Sequence, residues 1–200
     1  MQKLPIVLLY SRIAIGCVII VFSILQLEYY SFIAVLLLSI GLLTDIFDGI
    51  IARKYNVSSD KLRRLDSTID QFFFIAFTVA TYIQCPEFFK SNALKLLLLI
   101  GMESLTYAVS YIKFKKEIAT HTIGAKLWTL VLFATLVQII IQGESVILFN
   151  LCFWIGLATR IEIVAIIIAL KKWTNDVPSF YHALQLRKGK AIKRHKLFNG

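Results

Sequence analysis

The chain has 200 residues, 58% of them hydrophobic, and a mean hydropathy of +0.74. Soluble domains stay nearer ~45–50% apolar, so an ordinary soluble domain is excluded and a bilayer is expected. A formal net charge of +10 on so apolar a chain points to anionic lipid headgroups rather than nucleic acid.

A spanning helix needs about 17–25 mostly apolar residues, and six such runs fall at about 7–27, 32–52, 66–84, 92–112, 126–142 and 146–170. The expected fold is therefore an all-α integral membrane protein of six transmembrane helices. The first run, within MQKLPIVLLYSRIAIG, extends well past a signal-peptide core and lacks an A-x-A cleavage site, so it reads as a span. Lys and Arg cluster on alternate connections. Lys3 and Arg12 come first, then Arg53, Lys54, Lys61, Arg63 and Arg64, then Lys113, Lys115 and Lys116, then the tail from Lys171. The opposite connections hold Glu28, Glu87 with Lys90, and Glu144. The positive-inside rule then places both termini in the cytoplasm.

Two segments follow: a six-helix membrane domain, 1–172, and a basic cytoplasmic tail, 173–200. From Lys171 onward eight Lys and Arg face one acid, Asp176. The stretch SFYHALQLRKGKAIKRHK can form a helix from about Pro178 with Phe180, Leu184 and Ile192 on one side and basic residues reaching anionic membrane lipid; a solvated tail that only fixes topology is the alternative. Cys17, Cys85 and Cys152 stand singly, with neither disulfide nor metal spacing, and read as small core residues.

The chemistry-bearing stretch is TDIFDGIIARKYNVSSDKLRRLDSTIDQ, residues 44–71. Asp45 precedes Arg53 by eight residues, roughly 12 Å at 1.5 Å per residue inside the helix end. A carboxylate at such depth costs about 2.5–3.5 kcal/mol. Asp45 and Asp48 are spaced i, i+3, and Asp66 and Asp70 i, i+4, so each pair shares a helix face. A short connection predicts antiparallel neighbours with four converging carboxylates. Pairing with Arg53, Lys61, Arg63 and Arg64 would account for the charges but not for Gly49 and Ala52 interleaved with them, which leave room for a bulky ligand. Four hard oxygen donors suit Mg²⁺ or a similar cation.

These residues resemble the signature of the CDP-alcohol phosphotransferases (CDP-alcohol phosphatidyltransferases), D-x-x-D-G-x-x-A-R-x8-G-x-x-x-D-x-x-x-D. Asp45, Asp48, Gly49, Ala52, Arg53, Asp66 and Asp70 stand in register, with Leu62 in place of the second glycine. The resemblance implies six helices, a homodimer, and phosphatidyl transfer from CDP-diacylglycerol to a small polar acceptor in phospholipid synthesis. It further implies two Mg²⁺ (or Mn²⁺) ions on Asp45, Asp48, Asp66 and Asp70, with Asp70 also the base, and a CDP moiety held by Gly49, Arg53 and, in the loop, Ser59. A bacterial inner membrane is the expected location, with the site facing the cytoplasm. Pro5 and Arg12 fit the P-N-x-x-T-x-x-R spacing near the first helix, although Ile6 and Leu9 replace its polar members.

The stretch GAKLWTL resembles the G-K-x-K-T segment of phosphatidylglycerophosphate synthases, with Trp128 in place of the second lysine. Glycerol 3-phosphate is accordingly the first acceptor, with inositol or inositol phosphate as the alternative. Lys126 and Arg160 are the acceptor-site candidates. Lys126 can equally snorkel to the interface, and Arg160 can equally pair with Glu103 as a structural ion pair. Outside enzymes, a cation-binding membrane protein or transporter would retain the aspartates but would not need Gly49, Ala52 and Arg53.

Overall fold

The computed structural model describes residues 4–55, 60–116, 120 and 122–192, with the side chains of residues 4, 5, 53, 54 and 60 left aside. The described residues form helices and no strand: α1 Leu4–Ile24, α2 Tyr30–Lys54, α3 Asp60–Gln84, α4 Pro86–Ser91, α5 Ala93–Phe114, α6 Ile123–Gln142, α7 Ile147–Ala169 and α8 Phe180–Arg187. Five of these, α1, α2, α5, α6 and α7, are long and apolar enough to cross a membrane.

The expected sixth span falls on α3, which does not meet that criterion by composition. Its first eleven residues include Asp60, Lys61, Arg63, Arg64, Asp66 and Asp70. The stretch from Gln71 to Gln84 rises only about 21 Å, short of a ~30 Å hydrocarbon core. Large apolar side chains face outward on the other helices, among them Phe32 (72% exposed), Ile112 (74%) and Ile147 (80%), as lipid contact allows. Several hydroxyls within the helices are satisfied locally: Ser39 donates to the carbonyl of Val35, Thr44 to that of Gly41 and Thr81 to that of Phe77, which keeps these polar groups paired within the helix.

The chain divides into two compact units. The first comprises residues 1–91 with 133–146, the second 92–132 with 147–200. In the first, Arg12 meets Asp66 and Asp70, Gly16 lies against Phe72 and Ala76, and Gln84 donates to the carbonyl of Ser23. These contacts advance together along both helices, so α1 and α3 run parallel. α2 returns antiparallel to both. α1 packs along α2 and α3, whereas α2 and α3 meet each other over a much shorter stretch. α2 and α3 are antiparallel neighbours as expected, in contact at Gly41 and Phe73, but both use α1 as their main partner.

The second unit follows a similar plan. Lys95 reaches Asn150, Glu103 reaches Arg160, and Lys113 reaches the carbonyls of Ile167 and Ile168, so α5 and α7 run parallel. Beyond α7 the chain folds back, and Ile166, Ala169, Leu170, Val177 and Ala183 form a buried cluster with Phe114, Leu184 and Leu186 packed on it. The helix expected from about Pro178 is therefore shorter, Phe180–Arg187. Ala183 and Leu184 turn onto protein rather than lipid, and Ile192 lies beyond the helix.

Close packing between α2 and α3 rests on Gly41, where an added Cβ would overlap the Phe73 ring. Gly41→Ala is expected to destabilise the protein by about 1–3 kcal/mol. Gly101→Ala, where nothing lies within 4 Å, should be close to neutral. Thermal unfolding in detergent, followed for both variants, checks the contrast.

Candidate active site

Arg12 sits in the middle of α1, 1% exposed, in an otherwise apolar helix. Its guanidinium gathers all four signature aspartates. Nη1 donates to Asp45 Oδ1 at 2.9 Å and also contacts Asp70 Oδ1. Nη2 donates to Asp48 Oδ2 at 2.5 Å and to Asp66 Oδ1 at 2.7 Å. The i, i+3 spacing on α2 and the i, i+4 spacing on α3 present each carboxylate pair on one face, and α1 supplies the cation between them.

The carboxylates differ in their access to solvent. The Asp48 side chain is only 5% exposed, whereas those of Asp45, Asp66 and Asp70 are 33%, 25% and 28% exposed. One acid is thus anchored and three border an open side. Ligand oxygens of Asp45, Asp48 and Asp66 lie within 4.8 Å of one another. Hard carboxylate donors clustered this closely fit a divalent cation.

Gly49 follows Asp48 directly and Ala52 is buried one turn further. Arg53 belongs to α2, but its side chain lies outside the described residues, as does Ser59. Leu62 falls in the first turn of α3, half-buried.

Sequence reasoning treated Arg12 as a charge marking the cytoplasmic side and as part of a spacing pattern. The structure instead commits it to the carboxylates. The available signal was one basic residue inside a helix of 21 residues, because an ionisable group in such a place calls for a partner.

The second unit holds the remaining candidates. Arg160 on α7 donates through Nε to Glu103 Oε2 at 2.6 Å. Its guanidinium lies 3.7 Å from the centre of the Trp128 ring, a stacked cation–π arrangement. Trp128 is fixed in turn by a hydrogen bond from Nε1 to the carbonyl of Cys152 at 3.0 Å. Gly156 makes this possible, since a Cβ there would come within 2.7 Å of Trp128 Nε1. Among the described residues, Arg160 Nη1 is buried without a hydrogen-bond partner. Lys126 is exposed in the first turn of α6.

A family model described as CDP-alcohol phosphatidyltransferase matches residues 2–172. The chain belongs to that family. It is a transferase of substituted phosphate groups in phospholipid synthesis. No curated protein and no solved structure matches it.

Removing one partner of a buried charge cluster strands the others, at a cost of about 3–5 kcal/mol. Arg12→Ala should lower stability by that order. Adding Asp48→Asn to it should cost less than the sum of the two single changes, because the amide has no charge left to compensate. A double-mutant cycle by thermal or denaturant unfolding gives the coupling directly.

Proposed function

We propose that the protein transfers a phosphatidyl group from CDP-diacylglycerol to the hydroxyl of glycerol 3-phosphate and releases CMP. The observation that carries this reading is the convergence of Asp45, Asp48, Asp66 and Asp70 in an apolar helical unit of a chain from this family.

In this reading the four aspartates hold two Mg²⁺ or Mn²⁺ ions, which when bound neutralise the diphosphate and stabilise the CMP leaving group. The chain's own side chains position and deprotonate. Asp70, part-exposed at the edge of the cluster, accepts the proton of the acceptor hydroxyl. The freed oxygen attacks the phosphorus that carries diacylglycerol, the bond from that phosphorus to the bridging diphosphate oxygen breaks, and CMP departs with the electron pair. Gly49 lets the nucleotide approach the backbone. Arg53 takes the diphosphate through its planar fork, and Ser59 adds a contact to the nucleotide.

Lys126 and Arg160 are assigned to the acceptor. The unpartnered Arg160 Nη1, in a guanidinium otherwise held by Glu103 and Trp128, favours an acceptor with a phosphate over neutral inositol or serine. Inositol phosphate is the second reading on the same observation. Six spans with α3 as the sixth, both termini and the site on the cytoplasmic side of a bacterial inner membrane, and a basic tail facing anionic lipid complete the proposal. The charge distribution along the chain supports it.

The deciding assay incubates pure protein with CDP-diacylglycerol and a panel of acceptors and reads CMP. Glycerol 3-phosphate should give the fastest release. Asp70→Asn should abolish turnover while Mn²⁺ binding, followed by electron paramagnetic resonance, persists, because an amide keeps an oxygen ligand but takes no proton. Near-normal CMP release from this variant would remove Asp70 from its role.

Arg160→Gln offers a separate check on acceptor choice. Its effect should fall on KM for glycerol 3-phosphate, about tenfold or more for a lost charged hydrogen bond, with the KM for CDP-diacylglycerol little changed. An equal rise in both constants would place Arg160 outside the acceptor subsite.

A further inference from the structure

Where α7 and α8 end, the chain leaves a groove of about 560 Å³ walled by Lys171, Lys172, Arg187 and Lys188, with Leu170 and Leu186 at its apolar side. All four basic residues are exposed. None has an ion-pair partner among the described residues. Asp176, the one acid from Lys171 onward, is itself buried at 3% exposure.

Cations at helix C-termini often serve only to satisfy the last carbonyls and the helix dipole. That duty is already filled here. Lys113 of α5 donates to the carbonyls of Ile167 and Ile168 at the end of α7. At the end of α8, the backbone amides of Lys188, Gly189 and Lys190 take the carbonyls of Leu184, Gln185 and Leu186. Four exposed lysine and arginine residues therefore line one concavity without an ion-pair partner among the described residues.

The depth of the groove is set by the spans around it. Phe114, Ile123 and Ala169 are each the terminal residue of an apolar span. Phe114 and Ala169 join the cluster that seats α8, and the Ile123 amide donates to the carbonyl of Pro178 at 3.0 Å. Three span ends therefore level the groove with the boundary between hydrocarbon and headgroups. Trp173, stacked with Lys116 at 5.0 Å, adds the kind of aromatic that marks this boundary.

We propose that this groove binds the phosphate headgroup of an anionic phospholipid, with the lysine and arginine heads on the phosphate and the leucines beside the first atoms of the acyl chains. It narrows the general attraction of a basic tail for anionic lipid to one built site, and it does not depend on the transfer chemistry. Residues 193–200, KRHKLFNG, are a poor occupant because they carry three basic residues and no acid.

The test uses full-length protein in neutral detergent, with bound lipid counted by native mass spectrometry. The probes are dioleoylphosphatidylglycerol, dioleoylphosphatidylcholine as a zwitterionic control, and inorganic phosphate as competitor. Lys171→Gln, Lys172→Gln, Arg187→Gln and Lys188→Gln combined should weaken phosphatidylglycerol binding by about tenfold or more, each surface cation being worth up to roughly fivefold. A control outside the groove that removes three charges, Lys193→Gln, Arg194→Gln and Lys196→Gln combined, should stay within about twofold of wild type if the attraction is local rather than diffuse. Should the fourfold variant fold poorly, Lys188→Gln and Arg187→Gln alone should each show a graded loss.

Unchanged binding in the groove variants, or equal loss in groove and control variants, overturns the site. Displacement of the lipid by millimolar inorganic phosphate reassigns the groove to a soluble anion and overturns the lipid proposal. CMP release, measured on the same samples, reports separately on the transferase reading.

Discussion

A guanidinium enclosed by four carboxylates is the interaction on which the first unit depends. None of the five groups is at home in an apolar bundle alone, and each makes the others tolerable. Because Arg12 binds Asp45 and Asp48 from α2 and Asp66 and Asp70 from α3, it fixes the heights of three helices relative to one another. The parallel run of α1 and α3 follows, as does the short contact at Gly41 and Phe73. The same arrangement turns three part-exposed carboxylates toward the open side, a set of hard oxygen donors that could hold a divalent cation.

The second unit handles a buried cation differently. Arg160 is held by one acid and one aromatic face instead of a ring of acids. Trp128 contributes a surface with no competing formal charge, and its own indole N–H is spent on the Cys152 carbonyl. Among the described residues Arg160 Nη1 makes no hydrogen bond, whereas Arg12 spends both terminal nitrogens on carboxylates. Both arginines tie helices together, Arg12 joining α1 to α2 and α3, and Arg160 joining α7 to α5.

Much of this was legible in the sequence, and the reasons for the remainder are physical. Apolar run length located α1, α2, α5, α6 and α7, and helical spacing put the aspartates on shared faces, because both depend only on local geometry. Neither reports which helix lies beside which. The sequence order α1, α2, α3 made α2 and α3 look like natural neighbours, whereas α1 became the shared partner of both, and Arg12 changed from a topology marker to the centre of the cluster. α3 was counted as a span on the strength of its apolar half alone. The tail reads either as a lipid-facing amphipathic helix, because Phe180, Leu184 and Ile192 can align, or as a solvated tail. In the structure Leu184 packs on the cluster of Leu170 and Val177, while Phe180 stays exposed and Ile192 lies beyond the helix. Trp128 read as a departure from a basic motif, since no linear pattern announces that Gly156, one helix away, has opened space for its ring.

The placement of the central cation on α1 also bears on how the protein is made. A chain emerges from the ribosome N-terminus first, so Arg12 enters the bilayer ahead of every acid it will bind. When α2 follows as the other arm of the hairpin, Asp45 and Asp48 meet a resident positive charge at once, and the pair of helices can be accommodated together with little net burden. α3 arrives next, and its own apolar stretch is the weakest of the long helices; the half-satisfied guanidinium gives its acids somewhere to go. The order of the chain thus puts the cation on α1 ahead of all four acids it gathers on α2 and α3.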